Sequence, residues 1–365
     1  MSIHIAGMGW VTPLGSGVSA VWQRLLAGEQ ATAETLTSPQ HGRSYPVFRV
    51  PAAATAAAPM HPRLRRSSAI SRFAVVAGLA ALEDAGVSLD SAQAERAAII
   101  FAISNGGVVY TKRFYHDVVE SGAQAASPLL FPETVFNAPA SHLAAILGIT
   151  GASYTLVGDG AVGLLALQMA EDLMLNPQID RCLVVGAEEA DWLLCDAYRR
   201  WRLLRNAPPL EPFQNPARGT ILSEGAGALL LERSGATVVD GIEAGANFRR
   251  QRDAAAGVAG ALQRLHATNE DLIVASANGT FVDEAEACAM RAHCPSAAVY
   301  APKAALGESV GASGLWQVIC AAQALRTGAL PPSLHPRPDR QVRRAIVSTC
   351  GMNQQVAGLA LSRAR

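Results

Sequence analysis

The feature that most constrains the fold is an alternation of short apolar runs, typical of buried β-strands, with helical segments. Strand-like runs occur at 3–7, 98–103, 153–157, 182–186, 226–232, 272–275, 298–301 and 345–349. Helices are predicted at 18–26, 68–85, 161–175 and 311–326. Strands that alternate with helices favour a parallel sheet covered on both faces. The sequence therefore predicts an α/β protein.

The two halves of the chain repeat a short pattern. GAVGL at 160–164 opens one long predicted helix, and GASGL at 311–315 opens another. Each helix is followed, after a short gap, by a β-rich run. Such a repeat at equivalent points predicts a duplicated α/β unit.

Composition narrows the classes of protein that remain. Half of the 365 residues are hydrophobic and 16% are charged, which excludes a disordered or fibrous chain. The 30 basic and 30 acidic residues cancel, so we expect neither a nucleic-acid nor a membrane partner. No run approaches the roughly 18 apolar residues of a membrane span, and no signal-peptide pattern opens the chain. We therefore expect a cytoplasmic protein.

Cysteine and lysine usage adds two expectations. The six cysteines show neither paired spacing nor a zinc pattern, which fits a reducing compartment, and we expect no metal and no cofactor. Only two of the 30 basic residues are lysines, Lys112 and Lys303. A lysine kept in so arginine-rich a chain can indicate a position that requires an ammonium group, although chance survival explains it equally well.

Motifs spread over nearly the whole chain, in a consistent order and spacing, resemble the β-ketoacyl synthase family, whose fold is the thiolase fold. The motifs lie at 6–15, 71–86, 211–213, 218–219, 223–228, 303–307, 311–314 and 331–333. The resemblance implies duplicated α/β halves in a five-layered αβαβα arrangement. It places the N-terminal half at 1–232 and the C-terminal half at 233–365, within one compact unit.

The resemblance also locates three catalytic positions, and all three are changed. In such enzymes a cysteine at a strand-to-helix elbow is acylated, and two histidines drive decarboxylation and condensation. Here these positions fall on Gly160, Asn278 and Glu308. Glycine has no thiol, and asparagine cannot shuttle a proton. A glutamate about 4 Å from a malonyl carboxylate would repel it by roughly 4 kcal/mol at an effective dielectric near 20.

The neighbours of these positions carry further expectations. Asp159, directly before the predicted helix, is interpreted as its N-cap rather than as a new acid or base. Asn278 and Glu308 are expected to hydrogen-bond across the pocket together with Lys303, because a buried glutamate needs a partner.

The gating loop of the family corresponds here to Cys350, Gly351 and Met352. Cys350 occupies the gate position, so the resemblance does not support a bulky gating motion. Because Cys350 lies beside the pocket, it is also the best candidate for a substitute nucleophile.

Within this family, chain-length-factor subunits lack the nucleophile, pair with an active synthase and help to shape the tunnel at the interface. The changed positions favour such a subunit, in polyketide, aryl polyene or fatty-acid-like biosynthesis. Its expected partner is an active β-ketoacyl synthase in a heterodimer, with an acyl carrier protein as a further candidate. The strand at 153–157 is expected at the two-fold axis. Phe131, Phe136 and Asn137 would reach across that axis to the partner's tunnel.

Two alternatives stay open. The first is an acyltransferase-type enzyme with changed chemistry that uses Asp159, Glu308 or Cys350. The second is a stand-alone acyl-binding or scaffold protein that forms a homodimer.

Overall fold

The computed structural model describes residues 3–333 and 341–364. Its strands are β1 Ile3–Thr12, β2 Gly15–Ser16, β3 Ala33–Thr37, β4 Ser44–Phe48, β5 Ala97–Ile103, β6 Ser153–Val157, β7 Arg181–Glu188, β8 Leu222–Ser223, β9 Gly225–Glu232, β10 Thr237–Asn247, β11 Leu272–Val274, β12 Ala298–Tyr300, β13 Arg344–Cys350 and β14 Gln355–Arg363. Its α-helices are α1 Val18–Leu26, α2 Ala69–Asp84, α3 Ser91–Glu95, α4 Val108–Ser121, α5 Ala138–Leu147, α6 Val162–Leu173, α7 Trp192–Arg200, α8 Ala254–Arg264, α9 Phe281–His293, α10 Lys303–Leu306 and α11 Val310–Thr327. Short 3₁₀ turns include Phe131–Thr134.

The main sheet repeats one strand order in its two halves. Its path is β12-β11-β13-β14-β10-β1-β9-β7-β5-β6, with β2 attached to β1. Each half contributes five strands to this path, numbered here in chain order and without β2. From the outer edge to the central β10–β1 pair, both halves follow the order third, second, fourth, fifth, first. The predicted duplication is therefore present in the topology. The boundary at 232/233 remains a prediction, and it falls between β9 and β10.

The sheet is mixed, which corrects the expectation of a parallel sheet. The parallel pairs are β5–β6, β5–β7, β11–β12 and β11–β13. The remaining pairs of the main sheet are antiparallel. The connection between β13 and β14 is too short for a crossover helix, so these strands must run antiparallel. A turn this short contains no helix, so the alternation of strands and helices in the sequence does not reveal the antiparallel pair.

The layers follow from what each helix contacts. α6 and α11 lie in the centre, because each contacts strands of both halves. α2 covers β1, β7 and β9 from outside, and α8 covers β10, β13 and β14 on the opposite side. The arrangement is the predicted αβαβα sandwich. α11 is buried from Val310 to Leu325, as its central position requires.

The repeated glycine pattern lies where the two central helices meet. A Cβ atom on Gly163 would come within 3.2 Å of Leu315, and one on Gly314 within 3.4 Å of Leu164. Small residues are therefore needed on both helices for this close approach. The sequence repeat thus marks a packing contact at the centre of the fold.

Predicted element boundaries agree with the structure where the apolar pattern is sharp. α1 and β6 have the predicted bounds, and α6 begins one residue later than expected. β1 is longer than the predicted 3–7, because its pairing with β9 continues to Val11. Among the described residues, no helix is both long and apolar enough to cross a membrane.

Candidate functional site

The elbow between β6 and α6, residues 158–161, carries the first predicted position. Gly160 is buried there. A Cβ atom added to it would lie 3.3 Å from the Cα of Gly351. The turn at 351–354, which joins β13 to β14, therefore lies directly against the elbow. The position contributes no reactive side chain.

Asp159 joins the elbow to this turn. Its carboxylate accepts the backbone N–H of Ala161 at 3.3 Å and those of Asn353 and Gln355 at 2.9 and 3.4 Å. In return, the Gln355 side-chain oxygen accepts the N–H of Asp159 at 3.0 Å. We call these four hydrogen bonds the Asp159 clasp.

The clasp corrects the N-cap interpretation. The N-cap of α6 is Ala161, and no side chain caps it. Because Asp159 stands two residues earlier, only one of its three backbone partners belongs to the helix start. Burial, with a smaller contribution from the negative charge of Glu308, raises its pKa to about 6 against the lowering effect of these three hydrogen bonds.

Gly351 is required by the clasp. A Cβ atom on Gly351 would fall 2.0 Å from the Oδ2 atom of Asp159. The next residue, Met352, is partly buried and packs against two apolar clusters that include Val356 and Tyr198. The turn at 351–354, which the resemblance assigns to the gate, is therefore held by Asp159 on one side and by the apolar clusters around Met352 on the other.

The predicted network of Asn278, Glu308 and Lys303 is present. Glu308 Oε2 accepts Asn278 Nδ2 at 2.7 Å and Lys303 Nζ at 2.7 Å. All three side chains are buried, with at most 2% exposure. The other amide atom of Asn278, Oδ1, accepts the hydroxyl of Thr280 at 2.6 Å. Both ends of the Asn278 amide are thus committed within the chain.

Lys303 changes the electrostatics expected from Glu308. An ammonium 2.7 Å from the carboxylate offsets its negative charge. The repulsion of a malonyl group is therefore smaller than the figure for an isolated glutamate. The other lysine, Lys112, makes a similar contact, at 2.7 Å from Asp191 Oδ2. Both lysines of the chain are thus paired with carboxylates.

Cys350 is buried, and its environment disfavours the thiolate. Burial and the negative charges of Glu286 and Asp159 raise the pKa of its thiol far above the usual range. Since the thiolate is the nucleophilic form, this cysteine is poorly suited to attack a thioester.

Sequence reasoning missed Glu286. This residue of α9 is linked to Cys350 through the hydroxyl of Ser276. Its Oε1 atom accepts the Ser276 hydroxyl at 2.9 Å and the Ser348 hydroxyl at 2.7 Å. The Ser276 hydroxyl in turn accepts the N–H of Cys350 at 2.8 Å. Burial raises the pKa of Glu286 to about 7. An acid on an otherwise amphipathic helix gives no sequence signal of such a role.

The family can now be identified from comparison with known proteins. Residues 1–236 match the family described as "Beta-ketoacyl synthase, N-terminal domain", and residues 232–337 match "Beta-ketoacyl synthase, C-terminal domain". The chain belongs to the β-ketoacyl synthase family. Its α/β fold is accordingly the thiolase-like ketosynthase fold that the motifs predicted.

Individual relatives of this β-ketoacyl synthase family member are distant but cover nearly all of it. Nodulation protein E of Rhizobium sp. (strain N33) is 26% identical and covers 92% of the chain and 90% of its own length. The ishigamide ketosynthase/chain length factor superimposes with a TM-score of 0.87 at 22% identity, over 100% and 99% of the two chains. A ketosynthase (ApeO) in complex with its chain length factor (ApeC) from Xenorhabdus doucetiae gives 0.80 at 19%, over 100% and 98%.

This β-ketoacyl synthase family chain also exposes an unusual amount of apolar surface on neighbouring elements. We call this surface the apolar face, and it comprises Tyr115, Val119, Leu129, Phe131, Val135, Phe136, Tyr154 and Val157. It lies on α4, on the segment 129–137 and on the edge strand β6. α4 has no buried residue at all.

Two of the predicted tunnel residues, Phe131 and Phe136, belong to this face, and all three are separate from the buried network. Phe131 contacts the ring of Phe114 on α4, with centroids 5.7 Å apart, and Asn137 is exposed before α5. Phe136 lies against Gly106, in the turn after β5. Among the described residues, no hydrogen bond, ion pair or ring contact joins these three to Asn278 or Glu308.

Proposed function

We propose that this chain is a non-catalytic subunit of the chain-length-factor type, which pairs with an active β-ketoacyl synthase and shapes its acyl tunnel. The observation that carries the proposal is the buried network at Asn278, Glu308 and Lys303 beside Gly160. These positions hold no thiol and no imidazole, and their side chains bond to one another. A pocket arranged in this way lacks both the nucleophile and the proton shuttle of a condensing enzyme.

The apolar face supports the proposed pairing with a synthase. Contiguous exposed apolar surface of this kind marks interaction sites, and obligate subunit interfaces bury thousands of Å² of it. Two structural relatives are described as a ketosynthase with its chain length factor, which is consistent with such a pair. We place the pair in polyketide, polyene or fatty-acid-like biosynthesis, with an acyl carrier protein as a further partner.

The three side chains of the enzyme alternative are all engaged in the folded chain. Asp159 holds the clasp, Glu308 is paired with Lys303, and Cys350 has a raised pKa. Both carboxyl groups thus have partners in the chain, although Glu308 Oε1 has none among the described residues, and the thiolate is disfavoured; these contacts support the subunit over a changed acyltransferase.

The test has two arms. In the first, the chain is co-expressed with a synthase from the same genome that keeps cysteine and both histidines. We expect a one-to-one heterodimer by native mass spectrometry. In the second, the isolated chain is incubated with an acyl-carrier-protein thioester, and intact-mass measurement should show no adduct. An acyl adduct on any residue would favour the changed enzyme. A stable homodimer that leaves the synthase unaffected would favour the scaffold.

A further inference from the structure

Glu133 is the one buried residue of the segment 129–137. Its neighbours Leu129, Phe131 and Phe136 are between 44% and 59% exposed, whereas Glu133 is 6% exposed. This reverses the usual arrangement, in which acidic side chains face water and apolar ones are buried. The segment is therefore attached to the protein through a carboxylate while its apolar side chains point outward.

The Glu133 carboxylate connects the segment to two helices. Its Oε1 atom lies 2.6 Å from Nε2 of His142 on α5. Its Oε2 atom accepts the N–H of Ser68 at 3.2 Å, and Ser68 is the N-cap of α2. Because a carboxylate only accepts when ionised, Nε2 of His142 is the donor. The negative charge also lies at the positive end of a 16-residue helix, where it is favoured.

The segment packs closely against two glycines, Gly106 and Gly107. A Cβ atom on Gly107 would fall 2.2 Å from the carbonyl oxygen of Glu133, and one on Gly106 would fall 2.5 Å from the Phe136 ring. The segment therefore lies close against the turn after β5. Because the contact with Gly107 is made by the carbonyl of Glu133 itself, a shift of Glu133 would change this packing.

An apolar residue would fill the Glu133 position without the cost of burying a charge. It would supply no directional bond, however, and the segment could then shift along the surface of α4 and α5. A carboxylate with two partners on different helices defines one position instead.

We propose that the Glu133–His142 pair is a positioning element, which holds Phe131 and Phe136 in the conformation that meets the partner synthase. The pair thereby sets the depth at which these side chains close the partner's tunnel. This inference rests on the proposed pairing with a synthase. It gives a role in product length to two polar side chains that are largely shielded from solvent.

The test compares Glu133→Ala, Glu133→Gln and His142→Ala with an exposed control, Glu83→Ala on α2. Backbone hydrogen exchange is measured in the free full-length chain. We expect Glu133→Ala to speed exchange in 129–137 by about tenfold or more, because hydrogen bonds to charged groups are strong. Glu133→Gln keeps one acceptor oxygen for one of the two donors and should restore part of the protection. Exchange in α11 should not change.

In the heterodimer, the product-length distribution is measured beside total turnover. Glu133→Ala and His142→Ala should broaden the distribution with little loss of turnover, and Glu133→Gln should narrow it again. Unchanged exchange and unchanged products in both alanine variants would overturn the proposal. If Glu133→Ala fails to fold, His142→Ala decides alone, because it leaves the Ser68 bond intact. If no synthase pairs with the wild-type chain, the proposed function fails, while the exchange measurement still tests the positioning element.

Discussion

The buried pocket around the elbow and the apolar face differ in where they place polar and apolar groups. In the pocket, Asn278 and Lys303 both bond to the buried Glu308 carboxyl, and Asp159 bonds to backbone N–H groups. On the face, aromatic and aliphatic side chains are exposed around α4 and β6. Most polar groups of the pocket are thus paired within the chain, with Glu308 Oε1 an exception among the described residues, whereas the face leaves its apolar groups exposed.

In a condensing enzyme, one region both holds its polar groups in place and meets the substrate. Here these two tasks are divided between the pocket and the apolar face. A catalytic pocket must leave a nucleophile and a proton acceptor unengaged so that substrate can meet them. Here the polar groups stabilise the fold instead, and the surface available for contact lies outside. Under the proposed subunit role, the fold would serve as a support for an interface.

The largest effect is expected from breaking the buried ion pair. Lys303→Met removes the ammonium group from the buried Glu308 carboxyl and leaves it only the Asn278 amide as a partner, which should lower the free energy of unfolding by about 3–5 kcal/mol. Urea denaturation measures this. The double variant Lys303→Met/Glu308→Gln should recover much of the loss, and Arg291→Met, at an exposed pair, is the control. A loss no greater than that of the control would show that the pocket is not held by this pair.

The burial of Asp159 should make stability depend on pH. The pKa of Asp159 is about 6 in the folded chain and near 3.8 when unfolded. Between these values the folded state keeps a proton that the unfolded state has released, so raising the pH favours unfolding. Relative to Asp159→Asn, the wild type should lose at most about 3 kcal/mol from pH 4 to pH 6. Parallel stability curves for the two proteins would show that the Asp159 carboxyl titrates alike in the folded and unfolded chain, which would contradict the raised pKa.

The apolar face is probed by Phe136→Ala. Removing this ring should weaken pairing with the synthase by about tenfold and change the length of its product, since buried aromatic side chains dominate interfaces. The partner's cysteine should remain reactive. Met60→Ala, at an exposed residue outside the apolar face, is the control for surface changes. Equal binding and equal products for both variants would show that the apolar face does not contact the synthase.

The smallest effect is expected from restoring the thiol. Gly160→Cys supplies one group of a set that acts as a unit, and Asn278 still cannot take a proton. Condensation of malonyl thioester, followed by mass spectrometry, should therefore stay at background. Measurable condensation by this single variant would contradict the view that the pocket is closed to chemistry.

Much of the fold could be predicted because it is locally encoded. The bounds of α1 and β6 follow from short apolar runs, and the Gly–Ala pattern marks the contact of α6 with α11. The network of Asn278, Glu308 and Lys303 was anticipated only because the motifs align these positions. Nothing in the residues between 278 and 308 indicates their closeness.

Other features depend on residues brought together from distant parts of the chain. The sequence by itself determined the α/β alternation, the duplicated α/β unit and the absence of a thiol at Gly160. Only the tertiary structure decided that Asp159 binds a turn nearly 200 residues later and that Glu133 is buried between two helices. The physical reason is that hydrophobic periodicity reports which face of an element is buried. It does not report which polar group will meet an acid there.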